Sequence, residues 1–237
     1  MKTILHKADS RGHANHGWLN AYHSFSFASW FNPERVQFGM LRVLNDDTIA
    51  AGMGFGTHPH DNMEIITIPL EGDLAHKDSM GNASVIKTGD IQVMSAGTGI
   101  QHSEFNPNAD LQTKLFQIWL FPKFRNVEPR YQQITLDQSL QKNNFAQILS
   151  PNADDEGVWI HQDAWFYLSD FEKNYTSKLA LKKEENGFYI MNIEGEIEVN
   201  GKKLEKRDAI GIWEITEIEV KATSDSKFLI MEIPMEQ

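Results

Sequence analysis

The alternation of apolar and polar residues along the chain predicts a protein built mainly from β-strands. Short apolar runs recur with turn residues between them, and long runs with the 3.6-residue period of a helix are scarce. In the first half the pattern predicts strands at residues 36–44, 65–70, 91–94 and 115–121. We interpret Asn45-Asp46-Asp47 as the turn that ends the first of these strands, because asparagine and adjacent carboxylates are common turn formers.

The second half repeats these strand and turn signals. Asn200-Gly201 lies between alternating apolar runs and predicts a hairpin, because both residues tolerate positive φ. Glu194-Gly195 repeats the pattern of Glu71-Gly72, which indicates a degenerate internal repeat. Two prolines, Pro122 and Pro129, lie between the halves. We therefore expect an all-β protein of two domains, residues 1–123 and residues 124–237.

Composition and charge exclude several classes of protein. Hydrophobic residues at 41% and charged residues at 23% are typical of an ordinary globular chain. A net charge of −11 disfavours direct binding of nucleic acid, and the lack of cysteine excludes disulfides and thiolate metal ligands. Neither an 18-residue apolar run nor a signal peptide is visible. We expect a cytoplasmic monomer without a membrane partner.

Two pairs of potential metal ligands stand out in the first half. They are His58-Pro59-His60 and, after 41 intervening residues, His102-Ser103-Glu104. Residues two apart on a strand point to the same face, so each pair can offer two ligands to one ion. Eight of the nine histidines lie in the first 102 residues, and glycines precede both pairs, which favours a site over ordinary loop histidines. Glu64 shares strand parity with the first pair, so parity alone leaves open which glutamate supplies the carboxylate.

Three imidazoles and one carboxylate form a donor set for an open, reactive site. Such donors suit iron, manganese, cobalt, nickel or copper better than a closed structural zinc site. The sequence therefore predicts one divalent transition metal ion in the first half. The second half holds only His161 and no such pair, so we expect no metal there.

At these positions the chain resembles the cupins, and more specifically the bacterial branch of the pirin family. The first cupin motif is matched by Gly52, His58, His60 and Glu64. The second motif, with two extra residues between its glycines, is matched by Gly89, Gly99, His102 and Asn106. The resemblance also includes residues 11–18 and 95–104.

The resemblance implies a bicupin, with two facing antiparallel β-barrels of the jelly-roll type and the metal in the N-terminal barrel alone. It implies that the metal ligands are His58, His60, His102 and Glu104, which leaves Glu64 to orient an imidazole. Fe2+ is the favoured ion, with manganese, cobalt, nickel, copper or zinc as alternatives. A carboxylate beside the ion is a natural base, so Glu104, or failing it Glu64, is the candidate acid/base residue.

Bacterial pirins are associated with quercetin 2,3-dioxygenase activity, so the resemblance implies that reaction here. The enzyme would open the flavonol ring of quercetin-like substrates with dioxygen and release carbon monoxide. An aromatic substrate needs an apolar cavity, although aromatic residues in a β-barrel more often form the core. The possible lining residues are Phe25, Phe27, Trp30, Phe31, Phe38 and Phe55.

Two other functions compete with this one. Eukaryotic pirins look like transcription cofactors, so the chain is alternatively a metal-containing regulatory or binding protein with incidental or no turnover. A non-redox cupin such as a sugar-phosphate isomerase would need basic residues to hold phosphate. The ligand-bearing segments 52–70 and 89–106 contain no lysine or arginine, which disfavours that reading.

Overall fold

The computed structural model describes residues 1–236, and strands dominate this part of the chain. Its two helices are short 3-10 turns, Ala8–Ser10 and Gln138–Gln141, and neither is long and apolar enough to cross a membrane. The strands of the first half are β1 (Lys2–His6), β2 (Gly12–Asn15), β3 (Leu19–His23), β4 (Leu41–Ile49), β5 (Gly54–His60), β6 (Glu64–Glu71), β7 (Leu74–Asp78), β8 (Ala83–Ile86), β9 (Asp90–Ser95), β10 (Ile100–Phe105), β11 (Thr113–Leu120) and β12 (Arg130–Thr135). Those of the second half are β13 (Ala146–Ser150), β14 (Val158–Trp159), β15 (Trp165–Phe171), β16 (Thr176–Ala180), β17 (Asn186–Glu194), β18 (Ile197–Val199), β19 (Lys202–Leu204), β20 (Ala209–Trp213), β21 (Glu217–Ala222) and β22 (Ser226–Pro234).

Each half contains one seven-stranded sheet and one four-stranded sheet. In the N-terminal half the orders are β12-β9-β6-β11-β4-β3-β2 and β5-β10-β7-β8, and in the C-terminal half β1-β20-β17-β22-β15-β13-β14 and β16-β21-β18-β19. The pairs are antiparallel except β13 with β14. The predicted all-β bicupin fold is confirmed, as is the hairpin at Asn200-Gly201, where both residues have positive φ.

The sheets of each half form a jelly-roll-like sandwich and do not close into barrels. Ladder pairing among the described residues leaves every sheet with two edge strands, so the barrel part of the prediction is corrected to an open sandwich. Side chains from the large and small sheets meet between the layers. In the N-terminal half, Ile49 of β4, Leu74 of β7 and Ile86 of β8 share one apolar core. Apolar side chains buried between the two sheets therefore hold each pair together, since no continuous hydrogen-bond ladder runs from one sheet to the other.

Two strands lie in the sheet of the opposite half. β1 begins the chain but pairs with β20 at the edge of the C-terminal seven-stranded sheet. β12 follows the predicted boundary but pairs with β9 at the edge of the N-terminal seven-stranded sheet. The division at residue 123 stays a prediction, and the chain crosses between the sandwiches on both sides of it.

Alternate residues of the large sheets face two different cores. On β17, Tyr189 lies in a core shared by both seven-stranded sheets, whereas Phe188 lies in the core of the C-terminal sandwich. On β11, Phe116 lies in the shared core and Leu115 in the N-terminal sandwich. The two large sheets therefore pack face to face, as the two-residue period of a strand requires when both faces are buried.

Asn45-Asp46-Asp47 lies within β4, so the predicted turn at these residues is wrong. β4 continues to Ile49 because it pairs with β3 on one side and β11 on the other. The polar side chains are accommodated by partners distant in sequence, since Asn45 binds the His23 ring and Asp46 pairs with Arg11 and Arg207. Alternation then directs Asn45 and Asp47 toward one face of the sheet and Asp46 toward the other.

Candidate metal centre

The small N-terminal sheet brings the two predicted ligand pairs onto one face. β5 and β10 are neighbours, and their register places His58 directly opposite His102. His102 and Glu104 alternate with more exposed residues on β10, so both point inward. β5 carries glycine at position 54, where a Cβ atom would lie 2.2 Å from the Glu104 carbonyl oxygen. The glycine before the first pair therefore permits the close approach of these strands.

Three imidazoles converge at this face. Donor atoms of His58, His60 and His102 all lie within 4.8 Å of one another, and the ring centroids of His58 and His102 are 4.4 Å apart. Nε2 of His60 and both ring nitrogens of His102 are buried without a hydrogen-bond partner. The carbonyl of Gly56 accepts a hydrogen bond from Nδ1 of His58 at 2.8 Å, which leaves the other nitrogen of that ring free to donate a lone pair.

Burial keeps two of these rings, those of His60 and His102, neutral. It lowers the pKa of His60 to about 4 and that of His102 to about 2, with the neighbouring histidines adding to the shift. Neutral imidazoles are the form that binds a metal ion. Converging neutral donors with unpartnered nitrogens fit a divalent ion, which would satisfy the buried nitrogens that the protein leaves unpaired.

Glu104 lies beside this cluster in a second group of donors. Its nearest potential co-ligands are His102 and His76, with donor atoms within 4.8 Å of one another, so His102 is common to both groups. The Nε2 group of Gln117 donates to both carboxylate oxygens of Glu104, at 3.2 and 3.1 Å. Burial raises the pKa of Glu104 to about 7. Glu104 and His102 thus both extend from β10, and Gln117 on β11 of the large sheet holds the carboxylate in place.

His76 and Asp78 form a third inward-facing pair that the sequence analysis missed. β7 lies on the other side of β10, and its register places His76 opposite Glu104 and Asp78 opposite His102. Both side chains are buried, and Nε2 of His76 lies 3.4 Å from Asp78. The signal was present in the sequence as a histidine and an aspartate two residues apart with an exposed residue, Lys77, between them.

Glu64 occupies a different environment from Glu104. It lies on β6 of the large sheet, where its carboxylate accepts hydrogen bonds from the Ser95 hydroxyl at 2.7 Å and from the backbone amide of His161. Burial raises the pKa of Glu64 to about 7. Its hydrogen-bond partners are therefore a serine and a main-chain amide, and the imidazole expected from the sequence is not among them.

The cluster opens into a cavity of about 460 Å³. One part of the wall is polar and consists of His23, Asn45, Asp47, Glu104 and Gln117. Besides the imidazole cluster and some small or aliphatic residues, the wall includes the aromatic residues Trp18, Phe27, Phe55 and Trp119. A cavity of this size that combines aromatic side chains with converging polar groups is typical of a small-molecule site.

Two of the six aromatic candidates from the sequence, Phe27 and Phe55, line this cavity. Phe25 and Phe38 instead lie in the core between the large sheets. Phe31 is 72% exposed, and the Trp30 ring packs on Gly12. The cavity residues Trp18, just before β3, and Trp119, on β11, were missed because their proximity to the cavity depends on how the strands pair, which the sequence does not show.

Comparison with known proteins agrees with this arrangement. The Pirin family profile matches residues 5–120, and the profile described as "Quercetinase C-terminal cupin domain" matches residues 147–233. The chain is 44% identical to quercetin 2,3-dioxygenase of Escherichia coli (strain K12), over 97% of this chain and 98% of that protein.

Solved structures of bacterial proteins have a closely similar fold. The crystal structure of YhhW from Escherichia coli has a TM-score of 0.94 at 43% identity, covering 98% of both chains. The bacterial pirin YhhW in complex with nickel(II) has a TM-score of 0.93 at 42% identity, covering 98% of this chain and 99% of that one. Agreement of fold, identity and coverage over nearly the full length leads to one conclusion. The chain belongs to the pirin family.

Proposed function

We propose that this protein is a metal-dependent dioxygenase that opens the flavonol ring of quercetin-like substrates with dioxygen and releases carbon monoxide. The observation that carries the proposal is the cluster of three imidazoles that lines a cavity with a partly aromatic wall. The relative named quercetin 2,3-dioxygenase, at 44% identity, supports the same reaction.

The proposed ligands are His58, His60, His102 and Glu104, and the proposed ion is Fe2+. The nickel(II) complex of a bacterial pirin supports the binding of a divalent ion. When bound, a redox-active divalent ion supplies Lewis acidity toward a substrate hydroxyl and a route for electrons to dioxygen. The acid/base role predicted for Glu104 stays a prediction.

The aromatic wall would bind and orient a planar substrate. Trp18 and Phe55 are in edge contact with ring centroids 5.2 Å apart, and Phe27 and Trp119 are in edge contact at 5.4 Å. The Trp119 ring also lies 4.9 Å from that of His60. Rings that pack on each other keep fixed positions, so they exclude water and hold an aromatic ligand close to the imidazoles.

The direct test is turnover of quercetin by protein loaded with a known amount of Fe2+. We expect dioxygen consumption measured with an oxygen electrode to match both flavonol loss and carbon monoxide release. Metal-free protein and the His102→Ala variant serve as controls for autoxidation. Equal rates of flavonol decay in all three samples would contradict the proposal and favour the regulatory alternative.

The assignment of the carboxylate ligand can be tested separately. We expect Glu104→Gln to lower metal content, or to change the spectrum of the bound ion, more than Glu64→Gln does. Glu104 lies beside His102, whereas Glu64 is engaged by Ser95 and a backbone amide. Elemental analysis and electron paramagnetic resonance of the two isosteric variants give the comparison. A larger effect of the Glu64 variant would move the ligand role to that residue.

A further inference from the structure

Asp47 is a buried carboxylate in the cavity wall to which the proposed function gives no task. The residue is 5% exposed and lines the same cavity as the imidazole cluster. Oδ1 of Asp47 is buried and has no hydrogen-bond partner in the described chain. The polar residues around it are satisfied, since Asn45 binds His23 at 2.9 Å and Gln117 binds Glu104.

Other buried carboxylates of the molecule are satisfied. Each of the following accepts at least one hydrogen bond from the protein: Glu64, Asp78, Asp90, Glu104, Asp208 and Glu232. A buried polar group without a partner lowers stability by about 1–3 kcal/mol, and more when it is charged. An unpaired carboxylate on a cavity wall is therefore best explained by a partner that the ligand brings.

The surroundings of Asp47 also raise its pKa into the range useful for proton transfer. Burial, together with the nearby charges of Asp46 and Glu104, raises the pKa of Asp47 to about 8. A base is most effective when its pKa lies near the working pH, because it is then both available and strong enough to take a proton.

We propose that Asp47 is a catalytic base that accepts the proton of a hydroxyl group on the planar aromatic substrate. In this step the substrate O–H bond breaks and an O–H bond to Asp47 forms. The electron pair stays on the substrate oxygen, giving an aromatic enolate or phenolate beside a neutral carboxylic acid. This inference rests on the proposed function for the identity of the substrate.

Glu104 is less suited to this role than Asp47. Both Glu104 oxygens are occupied by the Gln117 amide, and the same carboxylate is the proposed metal ligand. Asp47 reaches the cavity from β4, and its neighbours in the register are Ala21 and Leu115, whose side chains have no hydrogen-bond donor. The substrate hydroxyl would thus meet a carboxylate that is free to receive a proton.

The pH dependence follows from the sign of the shift. The active form is the carboxylate, which predominates above pH 8 in the free protein and is lost as pH falls through that value. The titratable groups that line the same cavity or adjoin Asp47 in sequence are His23, Asp46, His58, His60, His102 and Glu104.

The test is an anaerobic titration of metal-loaded protein with quercetin, followed by the absorbance of the deprotonated flavonol. Without dioxygen the ligand binds but is not consumed, so proton transfer is observed by itself. We expect wild-type protein to produce the anion, and Asp47→Asn to shift its appearance upward by about one pH unit, a tenfold loss of anion at fixed pH. Asp47→Glu is expected to restore part of the signal, and Asp110→Asn, an exposed carboxylate of the same half, to leave it unchanged.

A second measurement follows turnover with dioxygen present. We expect kcat to fall about 100-fold or more in Asp47→Asn while metal content is unchanged, as for removal of a general base. Circular dichroism verifies folding, and Asp47→Ser replaces the asparagine variant in both measurements if that variant does not fold.

The outcomes separate this inference from the proposed function. Unaltered anion formation in the Asp47 variants overturns the role of Asp47, whatever the turnover. Anion formation that depends on Asp47, without dioxygen consumption by the wild type, supports the base and overturns the dioxygenase. Absence of any bound flavonol in the wild type overturns both.

Discussion

Replacing His102 with alanine is expected to remove the bound ion, with the apparent metal affinity falling by about 100-fold or more. His102 is the residue common to both donor groups, one with His58 and His60 and the other with His76 and Glu104. Its loss therefore breaks both groups at once, whereas loss of His58 leaves the second group intact. Elemental analysis of the purified variant and competition with a chelator measure the effect.

His161→Ala is the matched control for this change. It removes the single imidazole of the second half, which contacts Trp159 and lies outside both donor groups. We expect it to keep the metal content of the wild type. Metal content that is unchanged in His102→Ala would refute the proposed site as a whole, since no other residue joins the two groups.

Replacing Phe166 with alanine is expected to lower the free energy of unfolding by about 3–5 kcal/mol. Phe166 is fully buried on β15, in the core shared by the two seven-stranded sheets. Removing its ring leaves a cavity between two sheets whose main chains are fixed by their own ladders, so the gap cannot close easily. Urea unfolding followed by circular dichroism gives the midpoint and slope.

Phe31→Ala provides the comparison for Phe166, because Phe31 is 72% exposed. We expect its effect to stay within about 0.5 kcal/mol. Similar losses from both substitutions would mean that packing between the large sheets is not a major source of stability.

The sequence predicted those parts of the fold that depend on neighbouring residues. Short apolar runs located β6 and β9, period-two alternation located β11, and the Asn200-Gly201 dipeptide located a hairpin, because these signals are local. The turn predicted at Asn45-Asp46-Asp47 was wrong because residues distant in sequence determine the conformation there. The local composition of this segment favours a turn, but pairing with β3 and β11 and ion pairs from Arg11 and Arg207 hold it in a strand.

In the candidate site, too, only the residues close to one another in sequence could be grouped in advance. His58 and His60 could be grouped from their spacing, and so could His102 and Glu104. That Glu104 shares a donor group with His76 depends on the order β5-β10-β7 within a sheet, which spacing does not encode. The interpretation of Asp47 likewise depended on strand continuity, since only an extended β4 directs its side chain into the cavity.

Each sandwich contains one strand from the opposite half of the chain, β1 in the C-terminal sandwich and β12 in the N-terminal one, so neither sheet is complete without the other half. The N-terminal half without β12, or the C-terminal half without β1, would present a bare strand edge with unpaired amides and carbonyls, a template for aggregation. Because each half shields the edge of its neighbour, a gene encoding either half alone would encode an incomplete fold. The second half therefore contributes a strand to the metal-bearing half, although it carries no ligand pair of its own.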